Sequence, residues 1–376
     1  MKLGRLSRHL GLAAVAWLVV AACGSTSNNT SASCSESIAT SATSASSCGG
    51  MDALVAAAKA EGKLNIIATP PDWANYGASI DAFQAKYGIK VTSANPNGGS
   101  QDEIDAVKSL AGTSSAPDVL DVGLKYALAN TALFAPYKVA TWGDIPDTQK
   151  ESTGLWWQDY GGYMGIGYDP SKVPGGVINS FSDLLGSGFK SKVALSGDPL
   201  KSNQAVNGVL MASLANGGSA NDVSKGVDWF HQLKQAGNWV PVIGTSATVK
   251  AGQTPVLFEW DYLSSSHGKD VSGWKIFEPP GAILGNYYTQ AINKQAPHPA
   301  AVRLWEEYLF SNEGQNNWLK GGARPVRQAA MEKSGKLDAA AAAALPKVSG
   351  TPVFPTADQQ TAAGAYISSH WSAAVG

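Results

Sequence analysis

Short apolar runs alternate with stretches of helical period along most of the chain from Met51 onward, and this alternation limits the fold more than any other feature. A helix opens at Asp52, carries Leu54, Val55 and Ala58 on one face and stops at Gly62. Residues 64–68 then read as a buried strand, broken by Thr69-Pro70-Pro71-Asp72. A helix over about 78–87 leads to a second strand at 89–93. After the loop Asn95-Pro96-Asn97-Gly98-Gly99, Ser100 and Glu103 read as a capping box for a helix striped by Ile104, Val107 and Ala111. Residues 117–122 make a third strand and 126–134 a further helix. The order predicts an α/β layer structure with a largely parallel sheet. It pauses at 155–168, an aromatic, glycine-rich stretch without helical period. It resumes with strands at 192–195 and 255–260 and helices between them, so a second lobe is expected to begin near residue 161.

Two lobes suit a chain of 376 residues, of which 44% are hydrophobic. The net charge is −1, which argues against nucleic acid as a partner, because binding phosphates needs a basic footprint. The N-terminus sets the compartment. Lys2, Arg5 and Arg8 precede an apolar run over 10–22, too short to span a bilayer and of the length of a signal peptide. The run ends in Val20-Ala21-Ala22-Cys23-Gly24, which resembles a bacterial lipobox. On that reading Cys23 is lipidated and becomes the mature N-terminus. The other reading is a plain secretory signal that discards Cys23; the cysteine directly after the small residues favours lipidation. Residues 24–50 are mostly Ser, Thr, Ala and Asn, which predicts a disordered tether. Cys34 and Cys48 lie in it and could pair outside the cell, with no core depending on them. No cysteine follows, which excludes thiol catalysis in the folded part.

No HExxH, CxxC, Walker loop, GxSxG or complete GxGxxG occurs, and the histidines are dispersed. An exported two-lobe α/β chain with many aromatics and no nucleophile signature reads as a binder. The rival is a secreted hydrolase or transferase whose catalytic groups converge from distant positions.

In open α/β sheets ligands sit beyond the carboxyl ends of strands. Asp72, Trp73 and Tyr76 follow the first strand, where a Trp can stack on an organic ligand or cation, or else cover the adjacent helix. Ser100 opens a helix whose N–H groups could hold a ligand oxygen or simply be capped. Lys201 leaves a second-lobe strand and would suit an anionic group, unless it is merely solvated. In Glu259-Trp260-Asp261-Tyr262, alternation sends the carboxylates to one face and the aromatics to the other, and Trp260 is the favoured contact. Tyr287 and Tyr288 could ligate ferric iron but more simply pack and hydrogen-bond.

Several segments carry a family likeness. They are Leu54-Val55-Ala56-Ala57-Ala58-Lys59-Ala60-Glu61-Gly62, Gly165-Ile166-Gly167-Tyr168-Asp169, Phe181-Ser182-Asp183-Leu184-Leu185, Lys294-Gln295-Ala296-Pro297-His298-Pro299 and Leu309-Phe310-Ser311-Asn312-Glu313-Gly314-Gln315. Together they resemble the solute-binding lipoproteins of ABC importers, in the cluster that handles ferric iron, polyamines, thiamine and phosphonates. The resemblance spans about residues 51–330. It implies a type II periplasmic-binding-protein fold: two α/β lobes, hinge strands crossing between them, and a cleft that closes over a small solute. By it, residues 1–22 are a signal peptide and 23–50 the lipidated cysteine and tether. The first lobe runs over 51–160 and is completed by about 285–320. The second runs over 161–284 and is completed by C-terminal helices over 321–376.

The partners implied are a small-molecule solute, ABC permease subunits and, through the lipid, the outer face of the cytoplasmic membrane. A monomer without cofactor or catalysis is expected. Trp73, Tyr76 and Trp260 resemble the cleft aromatics of polyamine binders, whereas the acidic positions of that group fall near Lys201 and Tyr288. Asp72, Glu259 or Asp261 could substitute as charge partners for a polyamine-like cation, and Asp72 and Asp261 are the ones proposed. A positively charged organic solute with a phosphate or phosphonate group would use the aromatics and Lys201 together.

Overall fold

The computed structural model describes residues 34–376. Ten strands are described: β1 (Lys63–Ile67), β2 (Lys90–Ala94), β3 (Val119–Gly123), β4 (Phe134–Ala135), β5 (Trp157–Tyr168), β6 (Val193–Leu195), β7 (Val256–Trp260), β8 (Lys275–Phe277), β9 (Gly285–Asn293) and β10 (Arg324–Pro325). The main sheet runs β3-β9-β5-β7-β6, with β4 beside β9 and both β8 and β10 beside β5. The parallel pair β1·β2 adjoins β3, where the Asp118 N–H donates to the Asn65 carbonyl at 2.9 Å.

The aromatic, glycine-rich stretch where helical period lapses is β5, a strand of 12 residues. Its first half pairs with β9 and its last five residues with β7, so one strand belongs to both lobes. A crossing strand has close neighbours on both sides, which explains its glycines. A Cβ at Gly161 would lie 2.3 Å from the Asn286 carbonyl oxygen, and one at Gly162 would lie 2.6 Å from Asp261 Oδ1. The crossing also corrects the expected parallel sheet. Strands that return from the other lobe run against their neighbours, so β3·β9, β5·β9 and β5·β7 are antiparallel, and among the described strands the parallel pairs are β1·β2 and β6·β7.

Most tryptophans go into packing. Trp157, Trp229, Trp260, Trp305 and Trp318 are among the largest fully buried side chains. The helix Pro299–Leu309 is buried along its whole length and lies against the helix Met51–Glu61. At the other end of the chain, the helix Ala357–Val375 packs on both Leu124–Ala129 of the first lobe and Ser224–Gln235 of the second.

The tether expected over 23–50 needs correction where it is described. Residues 34–50 hold a helix, Glu36–Ser41, whose N-terminus Ser35 caps, and Cys34 and Cys48 form a disulfide with Cα atoms 4.9 Å apart. Ala39, Ala42 and both cysteines are buried in the main core. Buried Arg303 reaches out of its helix and donates to the carbonyls of Thr40 and Ala42, each at 2.9 Å. Composition misjudged this segment because so few of its residues are large and apolar. A cross-link that lowers the entropy of the unfolded loop and a cation that satisfies its carbonyls take the place of a large apolar face. The expected signal peptide, the expected lipidation at Cys23 and the start of the expected tether lie outside the described residues.

Candidate functional site

A cavity of about 320 Å³ lies between the lobes, at the carboxyl ends of the strands. The first lobe supplies Asp72 and Trp73 after β1, the loop and helix start from Pro96 to Glu103, and Asp121 in the middle of β3. The second supplies Ser196 to Asp198 after β6, Lys201 to Asn203 at a helix start, Glu259 at the end of β7, and His267; Tyr288 comes from β9. Six carboxylates therefore line it (Asp72, Asp102, Glu103, Asp121, Asp198 and Glu259), against one lysine and one histidine.

Asp121 is the centre of the first-lobe wall. Its Oδ2 accepts hydrogen bonds from the hydroxyls of Tyr76 at 2.7 Å and Tyr160 at 2.9 Å, while Oδ1 has no partner among the described residues. Burial raises its pKa to about 7, even though both phenols favour the charged form. Glu103 accepts from the Asp121 N–H at 2.8 Å, and burial with the Asp121 charge pushes its carboxyl well above the usual range. Aromatic rings frame this pair. Trp73 Nε1 donates to the Tyr160 hydroxyl at 2.8 Å, and its ring meets Tyr288 edge-on, 5.7 Å between centroids. Tyr160 stacks on Tyr288 at 5.7 Å.

On the second-lobe wall Glu259 Oε2 and His267 Nε2 lie 3.0 Å apart, both buried. Burial raises the Glu259 carboxyl and His267 opposes the rise; burial also lowers the imidazole, but its bond to Glu259 overrides this and leaves it raised. The lobes touch directly at the cavity mouth. Ser246 Oγ donates to Asp72 Oδ2 at 2.5 Å, Lys201 Nζ pairs with Asp102 at 3.4 Å, and the Gln101 N–H donates to the Lys201 carbonyl at 3.2 Å.

The profile of the family described as bacterial extracellular solute-binding protein matches residues 110–347. The chain belongs to that family. These solute-binding proteins serve ABC importers: they bind small solutes and deliver them to permeases. No curated protein matches by sequence. Solved structures agree on the fold. The periplasmic binding protein AgtB from A. tumefacien R10, in complex with agropinic acid, is 17% identical, with TM-score 0.65, over 83% of this chain and 98% of its own. Iron-bound HitA from Pseudomonas aeruginosa is 21% identical, with TM-score 0.57, over 81% and 97%. AfuA from Actinobacillus pleuropneumoniae, with fructose-6-phosphate, is 16% identical, with TM-score 0.58, over 71% and 86%. At these identities only the fold is shared, and the solute of this family member has to be read from its own cavity. Among the described residues no helix is long and apolar enough to cross a membrane, and no group of three His, Cys, Asp or Glu side chains could hold a metal ion.

Of the residues singled out by sequence, Asp72, Trp73, Ser100, Lys201 and Tyr288 line the cavity of this solute-binding protein. Asp72 and Lys201 are engaged across the lobes by Ser246 and Asp102. Ser100 is the first helical residue rather than the cap: Asp102 bonds the Gly99 N–H at 2.9 Å, and Ser100 Oγ accepts from the Gly123 N–H at 3.1 Å. Four expectations need correction. Tyr76 lies behind the wall, holding Asp121 rather than facing the cavity. Trp260 is buried against Tyr262 and Tyr288, because β7 turns Glu259 to the cavity and its neighbour away. Asp261 is buried in an ion pair with Arg324 at 2.7 Å. Tyr287 stacks on Phe354, on the face of β9 opposite Tyr288, so the two tyrosines do not converge on a metal.

Among the lining residues that were not singled out by sequence are Asp121, Glu103, Asn203 and His267. Asp121 had a readable signal, a carboxylate within the apolar strand run Asp118-Val119-Leu120-Asp121-Val122, since a buried charge needs a reason. His267 had none, because it reaches Glu259 only through the turn of the helix Asp261–Ser266.

Proposed function

We propose that this protein captures a small organic cation, of polyamine type or another amine, between its closing lobes and delivers it to an ABC permease. It does so as a monomer outside the cytoplasmic membrane, anchored by lipid on Cys23. The observation that carries the reading is Asp121, a buried carboxylate with one oxygen unpartnered, facing a cavity lined by five further carboxylates. Ionised and unpaired in such a place, a carboxylate is costly, and an ammonium group offsets that cost. Trp73 and Tyr288 add aromatic faces on which a cation rests favourably. An anionic solute finds one lysine, already paired with Asp102. Closure follows from the same arrangement: a cation held by Asp121 on one lobe and Glu259 on the other favours the closed state by its greater affinity for it.

The test is a thermal-shift panel at pH 8 with putrescine, spermidine, thiamine, aminoethylphosphonate and inorganic phosphate. An amine at a thousand times its dissociation constant stabilises the native state by about 4 kcal/mol. Stabilisation by amines and not by phosphate supports the reading; stabilisation by phosphate alone overturns it.

A further inference from the structure

We infer that the solute is an amine that also carries adjacent hydroxyl groups, the pattern of an amino sugar, and that Asn203 selects it. The inference rests on the cation reading and narrows it. Among the described residues, four buried polar atoms on the cavity wall make no hydrogen bond of good geometry: Asp121 Oδ1, Glu259 Oε1, which has the Ser264 hydroxyl nearby, and both Oδ1 and Nδ2 of Asn203. Three are oxygens that accept, and one is an amide nitrogen that donates. Exchanging the two ends of the Asn203 amide leaves the count unchanged, because both are free.

Asn203 has no structural duty that accounts for it. It is the first residue of the helix Asn203–Ala215 and is 1% exposed. Ser202 already caps that helix, accepting from the Ala205 N–H at 3.4 Å. The Tyr288 hydroxyl is nearby without reaching hydrogen-bond geometry to the amide. The side chain lies instead against Gly123 of the other lobe, where a Cβ would stand 2.2 Å from Asn203 Cγ. Gly123 is two residues from Asp121 on β3, so both face the same way, about 7 Å apart. The amide and the carboxylate are therefore adjacent subsites. Both are sealed from solvent with the lobes closed, and a solute meets them as the lobes part to admit it.

A plain diamine has only donors to offer. It serves the three oxygens and leaves the Asn203 N–H₂ facing no acceptor, which weakens binding about tenfold or more. Adjacent hydroxyls remove that penalty: one accepts from Asn203 Nδ2 while its neighbour donates to Oδ1. The ammonium takes Asp121, and a remaining hydroxyl donates to Glu259 Oε1. The Trp73 ring supplies an apolar wall for the carbon skeleton.

The test is calorimetric titration of the protein with glucosamine, cyclohexylamine, glucose and putrescine, for wild type, Asn203→Ala and Asn203→Leu. The inference expects glucosamine to bind about tenfold or more tighter than cyclohexylamine and putrescine, with the ratio falling towards one in both variants. Plain amines binding as tightly as glucosamine, with no effect of the variants on the ratio, overturn the inference and leave the cation reading intact. Glucose binding as tightly as glucosamine overturns both, as does heat from none of the four. Thermal midpoints of the unliganded variants show that they are folded, and two unlike substitutions that agree separate selectivity from a local packing defect.

Discussion

Replacing Asp121 by asparagine should make the empty protein more stable at alkaline pH, and the size of the effect follows from its burial. The Asp121 carboxyl is raised from an unfolded value of 3.8 to about 7. A raised acid contributes stability that is fully present below pH 3.8 and is lost as pH rises through 7, because the folded state then has to hold the charge. At about 1.4 kcal/mol for each pH unit between the two values, the loss by pH 8 is about 4 kcal/mol at most. Asparagine keeps an oxygen to accept from Tyr76 and Tyr160 and carries no charge. Buried Glu103, Asp159 and Glu306 are raised in the same sense, partly by the Asp121 charge, so removing that charge also eases their ionisation and adds to the variant's advantage as pH rises. For a folded body of roughly 340 residues, 4 kcal/mol is about 5 °C in thermal midpoint. The assay is thermal unfolding of both ligand-free proteins from pH 5 to 8. The loss begins at pH 3.8, so the variant's midpoint should be about 2 °C higher already at pH 5, and the gap should widen to about 5 °C at pH 8. Parallel curves would mean that Asp121 does not charge in a dry site, and the argument for a cation at its free oxygen would fail with it. A gain in stability joined to a loss of binding is the usual signature of a site held at a cost for function.

Reducing the Cys34–Cys48 disulfide, whose partners are 14 residues apart, should cost about 3 kcal/mol, seen as a lowered denaturation midpoint with reductant present; an unchanged midpoint would mean the segment adds nothing to the core. Lys201→Met removes only a half-exposed pair with Asp102 and should change stability by less than about 1 kcal/mol while weakening amine affinity little. A hundredfold loss in titration would instead make Lys201 a direct ligand. Gly161→Ala pushes a Cβ into the Asn286 carbonyl at the strand crossing and should lower the thermal midpoint by several degrees, whereas a neutral result would show that the crossing has room to yield.

The legible part of the fold was its local part. The run at 64–68 and the carboxylate-bearing strand ending near Val122 show in hydrophobic pattern alone, and both end at the cavity, so Asp72 and Trp73 could be chosen from strand order. What pattern cannot show is partnership between distant residues. Tyr76 looks like a cleft aromatic until Asp121, 45 residues on, takes its hydroxyl. Asp261 looks like a free carboxylate until Arg324 comes back across β5 to hold it. The alternation that separates Glu259 from Trp260 was correct, yet it gave no sign, and His267 beside Glu259 is what marks the polar face as the one turned to the cavity. The ordered segment over 34–50 escaped for the same reason: its fixed points are a disulfide and an arginine some 260 residues away.

The most direct test of the central claim is a crystal structure of the protein with the solute that gives the strongest thermal shift. The account predicts a ligand nitrogen within hydrogen-bond distance of Asp121 Oδ1 and both lobes in contact with the ligand. A carboxylate, phosphate or uncharged group facing Asp121 instead would contradict it.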